Sequence, residues 1–426
     1  MEIYITAFLA FYVAWNLGAN DVANSMGTSV GSKALTIKQA IIVAGILEFI
    51  GAVIFSKNVS SKIATDVTDI SVFSDRPEIL LLGMTGVLIS CGLWLQIATN
   101  FGLPVASSHA VIGAIAGFSL VAAGQNAVNW EHILEISLAW IVTPLISGAI
   151  AAIFYSLLKH SILDPPSGSE PSSARSDTIT RLVEWIPWLS VILVSIFGVI
   201  VLPSLFDRPV FDFITLPHRD LALAFGGIAA ISLTVDGWNQ LQRLKEVSKD
   251  KTTQKLQIER VLARFQVVSA CFVAFGHGAN DVGNAIAPLA IVVYVFNNHS
   301  IPFNGLNIPI WILILGGLGI VLGLSFQGKN VITTVGEGII HLQPSSGFCA
   351  EIATATTILI ASRFGFPVST SHALVGAVVG IGIFQGWQNV SFATIKSVIL
   401  AWVVTLPFTA VLSAIALLIL RSLFLN

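Results

Sequence analysis

The stretch Val398–Leu420, VILAWVVTLPFTAVLSAIALLIL, contains no charged side chain. About 20 apolar residues in a helix are what crosses the hydrocarbon core of a bilayer, where every backbone polar group must be satisfied internally. Comparable runs lie at Ile79–Ala98, Ile133–Leu158 and Leu189–Leu205. Only 10% of the 426 residues are charged, against about 25% in a soluble chain. The sequence therefore predicts an all-α polytopic membrane protein.

Several other classes find no support. The start, MEIYITAFLAFYVAW, lacks a basic n-region and leads into Asn and Asp, unlike a cleaved signal peptide. Cys91, Cys271 and Cys349 stand singly in apolar runs, without the spacing of a disulfide framework or zinc site. The sequence holds no HExxH, P-loop or GxSxG, so an enzyme has no nucleophile–base pair to stand on. A net charge of −2 gives no reason to expect a nucleic-acid partner.

Three stretches recur in the same order. GANDVAN at Gly18–Asn24 matches GANDVGN at Gly278–Asn284, an offset of 260. LPVASSHAVIGAIAG from Leu103 matches FPVSTSHALVGAVVG from Phe366, an offset of 263. LAWIVTPLISGAIAA from Leu138 matches LAWVVTLPFTAVLSA from Leu400, an offset of 262. Near-constant spacing divides the chain into a first repeat, 1–160, a connecting segment with two spans, 161–261, and a second repeat, 262–426.

Charge sets an expected orientation. Between Gln242 and Arg264 lie seven Lys or Arg against three acids, a third of all the basic residues. The positive-inside rule makes the basic loop, 237–263, cytoplasmic. Seven spans precede it, at about 3–27, 38–56, 79–100, 103–124, 133–158, 186–206 and 219–236, so the N-terminus falls outside. The second repeat then starts from the inside, and the two repeats have inverted topology, as in many secondary transporters. The segments 103–124 and 366–385 open with Pro and a Ser/Thr cluster directly after a long apolar helix, and read as re-entrant hairpins, in which case the crossing count needs compensating half-spans near 57–78 and 329–345. Trp130, Trp185, Trp188 and Trp387 fit an interfacial belt.

Acids in hydrocarbon are functional candidates by default. Asn20, Asp21 and Asn24, with their repeats Asn280, Asp281 and Asn284, place a carboxylate and two amides in a small volume if helical. Such hard oxygens suit a small alkali cation or a proton relay. Neighbouring Gly18, Gly276 and Gly278 would let the helices unwind and add carbonyls to the cage. The competing reading is a polar patch that joins helices. In PVASSH and PVSTSH, Ser107, Ser108, Thr370 and Ser371 begin apolar, Gly-spaced runs. Hydroxyls, free N–H groups and a positive helix end suit an anion, and ordinary capping is the alternative. Two Asp with no Lys or Arg in the motifs would repel that anion unless cations bind beside it, which points to cation–anion symport. His109 and His372 are candidates for proton carriage or plain hydrogen bonding. Glu48 and Glu351 are further candidates for coupling, Glu351 amid Thr354, Thr356 and Thr357, or else paired structural acids. The echo of Lys57-Asn58-Val59 in Lys329-Asn330-Val331 is explained by snorkelling lysines.

GANDVANS at 18–25, GHGANDVGNAIAPL at 276–289 and FPVSTSH at 366–372 resemble the duplicated signature of the inorganic phosphate transporter (PiT) family. The resemblance implies about twelve transmembrane helices in two inverted repeats with two re-entrant hairpins, a transport domain moving against a scaffold, and a homodimer. It implies orthophosphate as substrate, driven by Na+ in many members and by protons, or as a metal–phosphate complex, in others, with no cofactor. Asp21, Asn24, Asp281 and Asn284 would hold sodium, and Ser107, Ser108, Thr370 and Ser371 the phosphate. Glu48 and Glu351 match positions where family members carry important acids. Two departures stand out. Ala106 replaces one hydroxyl of the first hairpin, making the two arms unequal, and the central loop is shorter than in animal relatives, which suggests a microbial plasma (inner) membrane. The reading is a Na+-coupled phosphate importer, with a proton-coupled phosphate or sulfate permease as the same-fold alternative and an uncoupled anion channel or membrane receptor as the alternative of another class.

Overall fold

The apolar runs become helices. The computed structural model describes residues 3–103, 105–163, 178–206, 217–245, 251–303, 305–338 and 340–425. Among these, nine helices are long and apolar enough to cross a bilayer, and two shorter apolar helices accompany them. The first repeat supplies α1 (Ile3–Gly31), α2 (Ile37–Phe55), the short α3 (Lys57–Thr65), α4 (Pro77–Asn100), α5 (Ser107–Ala123) and α6 (Trp130–Leu158). Between the repeats lie α7 (Thr178–Ile200), α8 (Leu202–Phe206) and α9 (His218–Lys245). The second repeat supplies α10 (Lys251–Asp281), which begins within the connecting segment, α11 (Gly283–Asn298), α12 (Ile310–Gly338), α13 (Pro344–Arg363), α14 (Thr370–Gln385) and α15 (Phe392–Phe424).

The repeats interleave. α1 packs on α12, and α2 packs on α10. Both pairs approach until glycine alone fits. A Cβ on Gly18 would stand 2.0 Å from the Ile320 carbonyl oxygen, and one on Gly278 would stand 2.0 Å from that of Glu48. Small residues allow this backbone contact in apolar surroundings. These glycines do not unwind the helices, contrary to the sequence expectation. Gly18–Asn24 stays inside α1, and the second copy is interrupted only at Val282, whose backbone is still helical. Close packing against a neighbouring backbone keeps the intrahelical bonds in place, so no carbonyl cage forms.

The hairpins are built alike. α4 and α13 end in turns that need a left-handed backbone at Gly102 (φ 63°) and Gly365 (φ 72°). The returning helices α5 and α14 have 17 and 16 residues. At 1.5 Å per residue each is roughly 25 Å long, short of the ~30 Å hydrocarbon core. α5 packs on α15 and α14 on α6, each crossing to the other repeat.

The basic stretch differs from expectation. The region read as a loop, 237–263, is helical up to Lys245 and again from Lys251, and 246–250 lies outside the described residues. Its Lys, Arg, Glu and Gln are strong helix formers, and Arg264 pairs with Asp236 at 2.8 Å on the surface.

Candidate functional site

The two signature motifs meet the two hairpin tips. Asp21 on α1 and Asp281 at the end of α10 are each 1% exposed. Ser107 Oγ, at the start of α5, donates to Asp21 Oδ2 at 2.8 Å, and Thr370 Oγ1, at the start of α14, donates to Asp281 Oδ2 at 2.7 Å. Each hydroxyl also accepts from the opposite repeat. Asn284 Nδ2 donates to Ser107 Oγ at 3.2 Å, and Asn24 Nδ2 reaches Thr370 Oγ1 at 3.5 Å and Asp21 Oδ1 at 3.4 Å. Six side chains thus form one crossed network, and the ligating atoms of Asp21, His277 and Asp281 lie within 4.8 Å of one another. Asp281 Oδ1, Asn284 Oδ1 and Ser108 Oγ are buried there without a hydrogen-bond partner.

Electrostatics make the centre strongly demanding. Two carboxylates this close, away from water, repel each other. Among the described residues, neither pairs with a Lys or Arg. The basic group present is His277, fully buried, with Nε2 3.1 Å from Asp281 Oδ2 and Nδ1 3.0 Å from Glu48 Oε2. These are ion-pair distances, and neither contact is aligned as a hydrogen bond. Ser25 Oγ completes Glu48, donating to Oε1 at 2.8 Å. A carboxylate cluster beside amide oxygens suits a hard cation. Hydroxyls at two helix N-termini suit an oxyanion.

Other expected residues serve elsewhere. Asn20 and Asn280 hold the hairpin loops. Asn20 Nδ2 donates to Leu103 O at 3.0 Å and to Thr99, and Asn280 Nδ2 to Phe366 O at 3.3 Å and to Ser362. Ser371 Oγ lies 2.9 Å from Ser369 Oγ, and Ser369 caps α14 where Ala106 offers α5 no side-chain cap. The inequality of the arms read from Ala106 is thus visible as a missing cap. His109 stacks on Trp140 and His372 on Trp402, ring centroids 3.7 Å apart, and each Nδ1 faces the other tryptophan's carbonyl. They stand behind the hairpin tips, without a contact to either Asp.

Glu351 also lies apart from the two Asp. Its carboxylate accepts from Thr28, Ser29, Gln266 and Ser269 at 2.6–3.1 Å. The expected neighbours Thr354, Thr356 and Thr357 instead return their hydroxyls to carbonyls four residues back on α13, the ordinary habit of Thr inside a helix. His277 was not singled out in the sequence. Its signal was there: it stands four residues before Asp281, one turn away on the same helix face, and its counterpart in the first motif is Leu17.

Comparison with known proteins gives the chain a family. The sequence pattern described as the phosphate transporter family matches residues 17–413. A curated relative, inorganic phosphate transporter 2-1, chloroplastic, from Arabidopsis thaliana, is 34% identical over 97% of this chain and 71% of its own length. A solved structure titled the sodium-dependent phosphate transporter superposes with a TM-score of 0.86 at 34% identity, covering 99% of both chains. A helical chain with these paired motifs, matched from end to end in this way, belongs to the phosphate transporter family.

Proposed function

We propose that the protein is a secondary active symporter that imports inorganic phosphate coupled to Na+. The observation that carries this reading is the crossed network. The hydroxyls placed to meet an oxyanion, Ser107 and Thr370, are the same groups that bond Asp21 and Asp281. An anion there is repelled by both carboxylates until cations join them, so each ligand makes the other's site tolerable. Asp21, Asn24, Asp281 and Asn284 would hold the cations, and Ser107, Ser108, Thr370 and Ser371 the anion. The sodium dependence named for the solved neighbour supports Na+ as that cation. The unpartnered acceptors Asp281 Oδ1 and Asn284 Oδ1 suit a cation. The phosphate named for the matching family supports phosphate as the anion. We place the protein in a microbial plasma membrane, as a homodimer, with the basic stretch 237–263 in the cytoplasm and the two inverted repeats exposing the site alternately.

Coupling to protons is the second reading. One observation favours it, the His277 imidazole held between the carboxylates of Glu48 and Asp281. Labelled phosphate uptake into proteoliposomes separates the two. Inward Na+ and inward proton gradients are imposed separately, with excess unlabelled sulfate as competitor. Accumulation driven by Na+ alone and untouched by sulfate is the expected result. Accumulation driven by protons transfers the coupling role to His277 and Glu48, and full competition by sulfate overturns the anion assignment. Flux without either gradient dependence would make the protein a channel.

A further inference from the structure

The crossed network is nearly symmetric, and one of its departures from symmetry falls on a charged pair. Beside Gly278, the facing backbone is that of Glu48. Beside Gly18, at the same 2.0 Å approach, it is that of Ile320. One residue before Gly278 is His277, and one residue before Gly18 is Leu17. So where His277 precedes Gly278 and the backbone of Glu48 faces it, Leu17 precedes Gly18 and the backbone of Ile320 faces it. All four side chains are fully buried.

We infer that His277, backed by Glu48, is a positioning residue that makes the two cation half-sites unequal. This rests on the reading above, in which both Asp residues receive cations. The imidazole offers its positive edge to Asp281 Oδ2 at 3.1 Å, while Glu48 holds the other nitrogen at 3.0 Å. Thr370 donates to that same Oδ2. The carboxylate is therefore fixed in direction, and part of its charge is already answered within the protein. What it offers a cation is the single free oxygen, Oδ1. Asp21 also has an oxygen within 4.8 Å of the imidazole but makes no ion-pair contact with it, and its hydrogen-bond partners, Ser107 and the long contact from Asn24, are both neutral. The Asp21 half-site holds its cation more tightly, and the Asp281 half-site is the weaker one, filled last and emptied first. Two cations of unequal hold give the cycle an order that two identical half-sites would lack.

The test is an exchange of the two environments. His277→Leu with Glu48→Ile gives Asp281 the surroundings of Asp21 and leaves no orphan carboxylate. Leu17→His with Ile320→Glu gives Asp21 the clamp. Equilibrium binding of labelled Na+ to the purified full chain, without phosphate, is measured for each. The wild type is expected to show two affinities. The first exchange should tighten the weaker one, and the second should weaken the tighter one, each by about tenfold, or about 1.4 kcal/mol. Folding damage would move both exchanges the same way, so opposite shifts exclude a merely structural role. His277→Gln, which keeps one donor toward Asp281 and the local volume, should lie between the wild type and the first exchange. Na+ binding that neither exchange alters, or that both alter in the same direction, overturns the inference alone. A wild type that binds no Na+ overturns the reading of the half-sites, and the inference with it.

Discussion

Ser107 and Thr370 each serve two masters. Each donates to the Asp of its own repeat and accepts from the Asn of the other. Removing one hydroxyl therefore strands a buried carboxylate oxygen and a buried amide, each costing about 1–3 kcal/mol when left unpaired. Ser107→Ala should raise the half-saturating concentrations of both phosphate and Na+ by about tenfold or more, since about 1.4 kcal/mol is a factor of ten. Ser107→Thr, which copies the second repeat, should keep both near wild type. Uptake titrated against each ion checks this, and a change confined to maximal rate would separate the hydroxyl from binding. At this scale much of the site was legible before any coordinates. Asp21, Asn24, Asp281, Asn284, Ser107 and Thr370 do converge. Repetition made them visible, because a buried acid written twice with its neighbours is hard to explain as chance. His277 escaped for the same reason, having Leu17 as its counterpart. The task of Asn20 and Asn280, holding the hairpin loops, depends on contacts about 80 residues away in the chain, which spacing within one motif does not reveal.

Helices in this protein are positioned by where a side chain is absent. The α2–α10 and α1–α12 contacts put backbone against backbone at Gly278 and Gly18. A methyl group at either point meets a carbonyl oxygen, which cannot swing aside as a flexible side chain would. Gly278→Ala should separate α10 from α2, pull His277 away from Glu48, and cost about 1–3 kcal/mol or more through overpacking. Gly227→Ala in α9, where nothing stands within 4 Å, should be neutral or slightly stabilising, as alanine is the better helix former. Thermal unfolding of the two variants in detergent gives the comparison, and equal losses would refute the packing role of Gly278. The sequence places these helices well but misassigns the glycines, reading them as points of unwinding. Glycine next to an acid looks the same in sequence whether it frees a carbonyl or admits a neighbour. Only the partner helix distinguishes the cases, and that partner lies in the other repeat. The hairpin arms α5 and α14, by contrast, were legible from Pro, hydroxyl clusters and glycine content directly after a long apolar helix, all of which are local.

Across the whole molecule, each repeat packs helices directly on helices of the other. α1 lies on α12, α2 on α10, α5 on α15 and α14 on α6. The central network repeats this crossing at atomic scale, with Asn24 on Thr370 and Asn284 on Ser107. Neither repeat can bury its glycine-lined faces alone, because in hydrocarbon such faces are stabilised by tight packing rather than by exclusion of water. Cutting the chain between Lys245 and Lys251 severs the covalent link and none of these interfaces. Fragments 1–245 and 251–426, co-expressed with a tag on one, should therefore copurify as a monodisperse complex, while each expressed alone should aggregate or be degraded. Size-exclusion chromatography after affinity capture in detergent decides this. A first fragment that is monodisperse and unfolds cooperatively by itself would mean that its helices satisfy one another, and that the crossed contacts join two finished domains. Copurification would mean instead that the site and the fold share one set of contacts, so that a shift of α10 or α14 against its crossed partner must also disturb the bonds that hold Asp21 and Asp281.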